Sequence, residues 1–248
     1  GGHRTVPERG GGCPWTDLRR MTPLLEYANM CEHKEAVAKY TAVTRFFRAF
    51  FYFEKVKRFG DVPWYDIQLG SADELLYKPR DSRELILTKM LEDIDYAINS
   101  GGLTESAADP YHVNKWAALA LKAQFCLYEG TYRKYHNLNL DGHDANFYLD
   151  LAAKAALEII EKGPYKLYQT GHPEKDYLTL FAQKDASPEE YILAIKFDYA
   201  IGARHNASAY TLLPTQGRPG LTRKFINTYL MDNGTAFTDK PGWQEMQF

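Results

Sequence analysis

The sequence has few cysteines, little net charge and no long hydrophobic run. Its three cysteines, Cys13, Cys31 and Cys126, have a spacing that fits no zinc or redox motif. The 30 basic residues nearly balance the 32 acidic ones, so the formal charge of −2 predicts no attraction to nucleic acid. No stretch approaches the roughly 20 apolar residues of a membrane-spanning helix, and no signal peptide is visible. These features favour a globular protein without a nucleic-acid-binding surface, and a Cys13–Cys31 bridge stays an open alternative.

Motifs for catalysis and for cofactor binding are also missing. The chain contains no G-x-S-x-G, no H-E-x-x-H and no phosphate-binding P-loop. Its carboxylates are numerous, but their spacing selects no pair for the acid–base chemistry of a glycosidase. We therefore expect a binding protein rather than an enzyme, and we expect no cofactor and no metal.

One polar segment is similar to the first half of a calcium-binding loop. Residues 137–142 read Asn-x-Asn-x-Asp-Gly, which puts oxygen ligands on alternate residues and a glycine at the turn. Tyr148 stands where the closing bidentate glutamate of such a loop belongs. The segment is more typical of a polar turn between helices, and calcium binding there stays an open alternative.

Aromatic residues are abundant, at 14% of the sequence. The richest stretch, residues 44–63, reads TRFFRAFFYFEKVKRFGDVP and predicts a helix from His33 to Phe59 that Gly60 and Pro63 end. Its rings occur around most of the circumference, so we expect this helix to be covered on several sides. Its polar remainder consists of Arg45, Arg48, Lys55, Lys57 and Arg58.

Apolar periodicity and end signals predict four further helices before residue 164. They begin at Trp15, at Asp81 or Ser82, at Asn114 and at Phe147, and they end near Cys31, Asn99, Tyr132 and Lys162. Glu84 is expected on the outside of the second of them. The spacing of roughly 30 to 45 residues is typical of helical-hairpin repeats. The predicted fold class is therefore mainly α, with degenerate tetratricopeptide-like hairpins, a few short strands and long loops.

The texture of the sequence changes after residue 164. Short strands are predicted at 165–168 and 190–197, with a short helix at 175–183 between them. A loop is expected over 198–219, followed by a last helix from Thr222 to Leu230. We accordingly predict a helical scaffold over 1–164 and a mixed, loop-rich part over 165–248.

Four stretches, taken in order, resemble the SusD/RagB family of surface lipoproteins in Bacteroidetes. They are Arg48–Phe53 with Phe59–Pro63, Arg80–Glu84 with Ile94–Ala97, Asn114–Ala118, and Pro214–Thr215 with Tyr229–Gly234. The first pair is similar to the family pattern RAFxYFxLVxxFGDVP, and the order of all four agrees with that of the family. The family is built on degenerate tetratricopeptide hairpins, which agrees with the predicted fold.

The resemblance implies a non-catalytic protein on the cell surface that captures an oligosaccharide. It also implies a partner, a SusC-like TonB-dependent transporter in the outer membrane, over which such a protein forms a lid. A signal peptide and a lipid-anchored cysteine would then lie upstream of Gly1. Family members are longer, so the chain would correspond to their first part, with the C-terminal region truncated.

A saccharide site needs aromatic faces together with planar hydrogen-bonding groups, and exposed loops are the places to look for them. In the family, glycan contacts come from loops near the first helix and from the C-terminal half. The candidates are His3, Arg4 and Trp15, then Trp64 and Tyr65, and finally Arg204, Asn206 and Tyr210. For Trp15, Trp64 and Tyr65, packing beneath the long loop is the more ordinary interpretation.

Three other functions remain open at this stage. An oligopeptide ligand, as in the RagB branch, would depend on backbone hydrogen bonds more than on exposed rings. A tetratricopeptide interaction scaffold would present a concave groove and no small-molecule pocket. A helical glycosidase would need two opposed carboxyl groups across a cleft.

Overall fold

Residues 13–216 and 220–245 are described by the structure, which is a computed structural model. Its internal contacts divide the chain into two units, Gly1–Ile195 and Lys196–Phe248. The boundary predicted near residue 164 rests on the change in the sequence from helical patterns to short strand-like and loop patterns, and it stays a prediction.

Helices dominate the first unit, as the apolar periodicity predicts. Its α-helices are α1 (Thr16–Tyr27), α2 (Lys34–Phe59), α3 (Arg83–Asn99), α4 (Lys115–His136), α5 (Ala145–Lys162) and α6 (Pro173–Ala182). Short 3-10 turns lie at Ala28–Met30 and Glu74–Tyr77. Helix α1 runs through Pro23 and ends at Tyr27, where the 3-10 turn takes over. The prediction of a mainly α fold is confirmed.

Side-chain caps set the beginnings of the central helices. The Ser82 hydroxyl accepts a hydrogen bond from the N–H of Leu85 at 3.3 Å, and the side-chain amide oxygen of Asn114 accepts one from the N–H of Ala117 at 2.8 Å. Each bond satisfies a donor that has no partner inside the helix. Asp144 caps α5 in the same way, so this helix begins two residues before its predicted start.

Helix α2 lies at the centre of the first unit and packs against α1, α3 and α4. Its inward face buries Phe46, Tyr52 and Phe53 almost completely. The expectation that its rings are covered all round is only partly correct, because Phe47 and Phe50 remain 43% and 44% exposed. The helix therefore has one covered face and one partly open aromatic face.

Two of the residues assigned to the polar remainder of α2 are in fact buried. The guanidinium of Arg48 donates two hydrogen bonds to the carboxylate of Asp93 on α3, at 2.6 and 2.7 Å. The ammonium of Lys55 donates to the carbonyl of Pro14 at 2.7 Å. Burial of these charges is tolerable because each has a partner. A count of polar residues in the sequence could not reveal those partners.

Helices α4 and α5 form a close antiparallel hairpin. At Gly130 an added Cβ would lie 2.8 Å from the Leu149 Cγ and 3.0 Å from the backbone oxygen of Ala145. The small residues of this stripe therefore let the two backbones approach, as the alanine content of α4 predicts.

The region after residue 164 departs most from the sequence predictions. Neither 165–168 nor 190–197 forms a strand, and the backbone hydrogen bond nearest to a pairing runs from Lys166 to Glu189, one residue before the second segment, at 3.0 Å. A strand needs a ladder of such bonds, and no neighbouring segment supplies one here. The short helix between them is confirmed as α6.

The second unit contains short helical segments connected by turns. They are α7 (Ala207–Leu212), α8 (Arg223–Ile226) and 3-10 turns at Phe237–Asp239 and Trp243–Glu245. Helix α7 lies inside the stretch predicted as loop, and α8 ends before the predicted Leu230. Among the described residues of both units, no helix has the length and hydropathy that crossing a bilayer would require.

Candidate binding pocket

A pocket of about 270 Å³ lies between α1 and the long connection that follows α2. Its wall is mostly apolar, with a few polar side chains at intervals. The lining residues are Trp15, Leu18, Arg19, Thr22, Pro63, Tyr65, Ile67, Gln68, Leu69, Leu76 and Lys78. Concave sites with this mixture are typical places for a small ligand.

Two of the predicted site residues meet in this pocket. The rings of Trp15 and Tyr65 pack edge to face, with centroids 5.5 Å apart. The Tyr65 hydroxyl donates to the carbonyl of Leu75 at 3.0 Å, and the Tyr65 N–H donates to the Tyr52 hydroxyl oxygen at 2.7 Å. The position of Tyr65 is thus set by both its backbone and its side chain.

Trp64, although adjacent in sequence, belongs to the core. It is 6% exposed and stacks on Tyr52, with ring centroids 4.3 Å apart and planes 27° from parallel. The Arg48 guanidinium lies 5.0 Å from its ring centroid, a cation–π arrangement. This geometry supports the packing interpretation of Trp64.

Lys78 and Asp81 fix the polar side of the pocket. The Lys78 ammonium donates to the carbonyl of Trp64 at 2.8 Å and to the Asp81 carboxylate at 2.7 Å. Asp81 also accepts a hydrogen bond from the Trp64 N–H at 2.7 Å. Partial burial by itself would raise the pKa of Asp81, but the bonds from Lys78 and Trp64 favour the carboxylate and hold the pKa below its usual value.

We expect acid to lower the free energy of unfolding, because protonation of Asp81 removes its bonds to Lys78 and Trp64. Since its pKa is lower in the folded than in the unfolded chain, its contribution is complete above about pH 4 and is lost as the pH falls through the lower, folded value. Urea unfolding between pH 5 and pH 2.5 measures the effect. The Asp81→Asn variant should lose less stability over this range than the wild type. A matched variant, Asp66→Asn on the same connection, should lose as much stability as the wild type does over this range. The assignment would be contradicted if Asp81→Asn showed the same dependence of stability on pH as the wild type.

Three other predicted residues lie close together in the second unit. Arg204 places its guanidinium 4.0 Å from the ring centroid of Tyr199. Asn206 precedes α7, and its carbonyl accepts a hydrogen bond from the N–H of Tyr210 at 3.1 Å. All three predicted residues are exposed, and none of them lines the pocket beside α1. The remaining candidates, His3 and Arg4, lie outside the described residues.

A buried ionic network is the feature that sequence reasoning missed. On α4, Glu129 accepts hydrogen bonds from Arg83 of α3 and from Arg133 one turn further along its own helix. Arg133 also donates to Glu84, a residue that the periodicity placed on the outside of α3 but that is 6% exposed. A Glu–Arg pair four residues apart is usually a surface pair, so the sequence carries no sign of this burial.

The segment that is similar to a calcium loop forms a tight turn at the edge of this network. Asp141 and Gly142 both have positive φ, 51° and 82°, and Leu140 and His143 exchange two backbone hydrogen bonds, as in a type I′ turn. The His143 carbonyl accepts from Arg133, and its ring nitrogen Nδ1 contacts Glu84. This favours the polar-turn interpretation. Within 13–216 and 220–245, no group of three His, Cys, Asp or Glu side chains is placed to hold a metal ion.

Comparisons with known proteins agree with the resemblance. Residues 10–114 match the SusD-like family described as starch-binding and associating with the outer membrane, and this stretch contains every residue that lines the pocket. No curated protein matches the chain.

Solved structures extend the comparison beyond residue 114. A SusD-like protein from Bacteroides fragilis is 26% identical, with a TM-score of 0.57 over 73% of this chain and 32% of its own. A SusD-superfamily protein from the same organism is 17% identical, with a TM-score of 0.63 over 90% of this chain and 42% of its own. A structure determined with a xylogluco-oligosaccharide is 21% identical, with a TM-score of 0.56 over 74% of this chain and 34% of its own.

The chain therefore spans about a third to two fifths of the length of the solved structures it matches. The family match over residues 10–114 and the fold shared with SusD-like structures confirm the resemblance to the SusD-like family that the four sequence stretches carry.

Proposed function

We propose that the chain binds an oligosaccharide as part of nutrient uptake at the outer membrane, and that the pocket beside α1 holds part of the ligand. The observation that carries the proposal is the meeting of Trp15 and Tyr65 at 5.5 Å in a cavity whose lining lies wholly within the family match. The structure determined with a xylogluco-oligosaccharide is a relative in fold, and it supports this class of ligand.

The chemistry of the pocket suits a sugar ring. Apolar C–H faces of a sugar pack against aromatic and aliphatic side chains, whereas its hydroxyls need hydrogen-bonding partners. The pocket offers the rings of Trp15 and Tyr65 for the first task and Gln68 and Lys78 for the second. A volume of about 270 Å³ is near the lower end for ligand pockets, so it would hold part of an oligosaccharide with the rest left outside.

The proposal extends to partners and location, following the family resemblance. The protein is non-catalytic, sits on the cell surface by a lipid anchor, and passes its ligand to a SusC-like TonB-dependent transporter. The family description, which includes association with the outer membrane, supports the location. Copurification from outer membranes with a β-barrel transporter tests the partnership, and recovery of soluble partners alone would contradict it.

Replacing Tyr65 by alanine tests the pocket directly. We expect the affinity for a bound oligosaccharide to fall about five- to thirtyfold, because about 1–2 kcal/mol of stacking and positioning is lost with the ring. Isothermal titration calorimetry with oligosaccharides that a glycan array identifies gives the measurement.

The matched control is Tyr77→Ala on the same connection. Tyr77 is 84% exposed and does not line the pocket, so this variant should bind as the wild type does. Equal affinities for wild type and Tyr65→Ala would place the ligand elsewhere. Tight binding of oligopeptides with no response to glycans would replace the saccharide proposal by the peptide alternative, and turnover of the glycan would contradict the non-catalytic role.

A further inference from the structure

We infer that the pocket prefers a saccharide that carries a carboxylate, such as a uronic acid, over a neutral one. This inference rests on the proposed function and names the ligand class of the same site. It comes from the charges of the lining, which among the described residues includes Arg19 and Lys78 but no aspartate and no glutamate.

Two carboxylates that bond to lining residues are occupied by other groups. Glu26 accepts a hydrogen bond from the backbone N–H of Gln68 at 3.1 Å. Asp81 accepts from the Trp64 N–H and from Lys78. Neither acid lines the pocket, so a negatively charged ligand would meet no carboxylate among the described residues of the wall.

Arg19 is the cation of the lining that has no carboxylate partner among the described residues. Its neighbour Arg20 lies 3.7 Å from Asp17, whereas the Arg19 side chain makes no ion pair or hydrogen bond with any residue of the described ranges. Lys78 is already paired with Asp81, so the excess positive charge of the lining comes from Arg19. A guanidinium fits a carboxylate through two parallel hydrogen bonds, which a sugar hydroxyl cannot match.

Donors also outnumber acceptors along the wall. The hydroxyls of Thr22 and Tyr65 donate to the backbone carbonyls of Leu18 and Leu75, at 2.9 and 3.0 Å. Besides these two oxygens, the side chains that line the pocket among the described residues offer only the Gln68 amide oxygen as an acceptor. Each hydroxyl of a neutral sugar has a proton to donate, whereas a carboxylate only accepts. The balance of the lining therefore suits an acidic ligand.

Calorimetry on matched ligands tests the inference with the intact chain. Oligogalacturonate, a glucuronic-acid-bearing xylan fragment and sialyllactose are each titrated beside their methyl esters, which remove the charge and add only a methyl group. Because Arg19 is exposed, we expect a preference of about five- to tenfold for the acid, falling as salt is added. Arg19→Gln should abolish that preference. Arg20→Gln, which removes the same net charge one residue away, should retain it.

The outcomes separate the inference from the proposed function. Equal binding of acid and ester would overturn the inference and leave saccharide binding intact. Equal loss of preference in Arg19→Gln and Arg20→Gln would also overturn it, because the effect would then come from the overall charge and not from the pocket. Failure of every acid, ester and neutral glycan to bind would overturn both. Thermal unfolding of the two variants checks that they fold alike.

Discussion

Replacement of Glu129 by alanine is expected to lower the free energy of unfolding by about 3–5 kcal/mol. Glu129 is fully buried and bonds to Arg83 on α3 as well as to Arg133 on α4. Its removal leaves a guanidinium in the core without its carboxylate, and the cost of that uncompensated charge exceeds the value of the pair itself.

The geometry explains why no other described group can replace the carboxylate of Glu129. Arg83 donates its Nε hydrogen to Glu129 at 2.9 Å and an Nη2 hydrogen at 2.5 Å, and the Tyr132 ring lies 4.0 Å from the guanidinium carbon. Arg133 keeps Glu84 as a second acceptor, but the described residues supply no second carboxylate for Arg83. The penalty should therefore come mainly from Arg83.

Urea denaturation at pH 7 measures this loss as a lower midpoint with little change in slope. The control is Glu92→Ala, whose carboxylate bonds to Lys89 at 2.8 Å on the exposed side of the same helix pair. Exposed pairs contribute about 0–1 kcal/mol, so this variant should be nearly neutral. A double variant, Arg83→Met with Glu129→Met, should recover most of the loss, because it removes both charges together. Equal effects of Glu129→Ala and Glu92→Ala would contradict the network.

Replacement of Tyr52 by alanine should cost about 3–5 kcal/mol, the range for a buried aromatic residue. Tyr52 is completely buried in α2 and stacks on Trp64. Its truncation would open a cavity beneath the connection that carries Tyr65, so we expect both stability and ligand affinity to fall. Thermal and urea unfolding give the first quantity, and calorimetry gives the second.

Tyr52→Phe separates the hydroxyl from the ring. The Tyr52 hydroxyl oxygen accepts from the N–H of Tyr65 at 2.7 Å, so this variant leaves that donor without its partner, at a cost of about 1–3 kcal/mol. If the hydroxyl positions Tyr65, Tyr52→Phe should weaken ligand binding while the core stays packed. The nearby variant Phe47→Leu alters a half-exposed ring of the same helix and should leave binding unchanged. A phenylalanine variant with wild-type stability and affinity would show that the bond has no such role.

Short-range signals in the sequence were sufficient to predict the helices of the first unit. Ser82 and Asn114 cap their helices because each side chain reaches a backbone N–H three residues on, a relation wholly within one segment. Gly60 and Pro63 end α2 for equally local reasons. The family resemblance could also be recognised from the sequence, because it depends on the order of such segments.

Tertiary contacts decided everything that depends on a distant partner. Glu84 and Arg48 look like surface residues in their helices, yet Arg133 and Asp93, 49 and 45 positions away, hold them in the interior. The segment at 190–197 has the composition of a strand but finds no ladder to join. The pocket itself exists because α1 packs against a connection some 50 residues further along the chain, which brings Trp15 to Tyr65. Periodicity reports which face of a helix is apolar, whereas only packing determines which charge meets which and where a cavity is left.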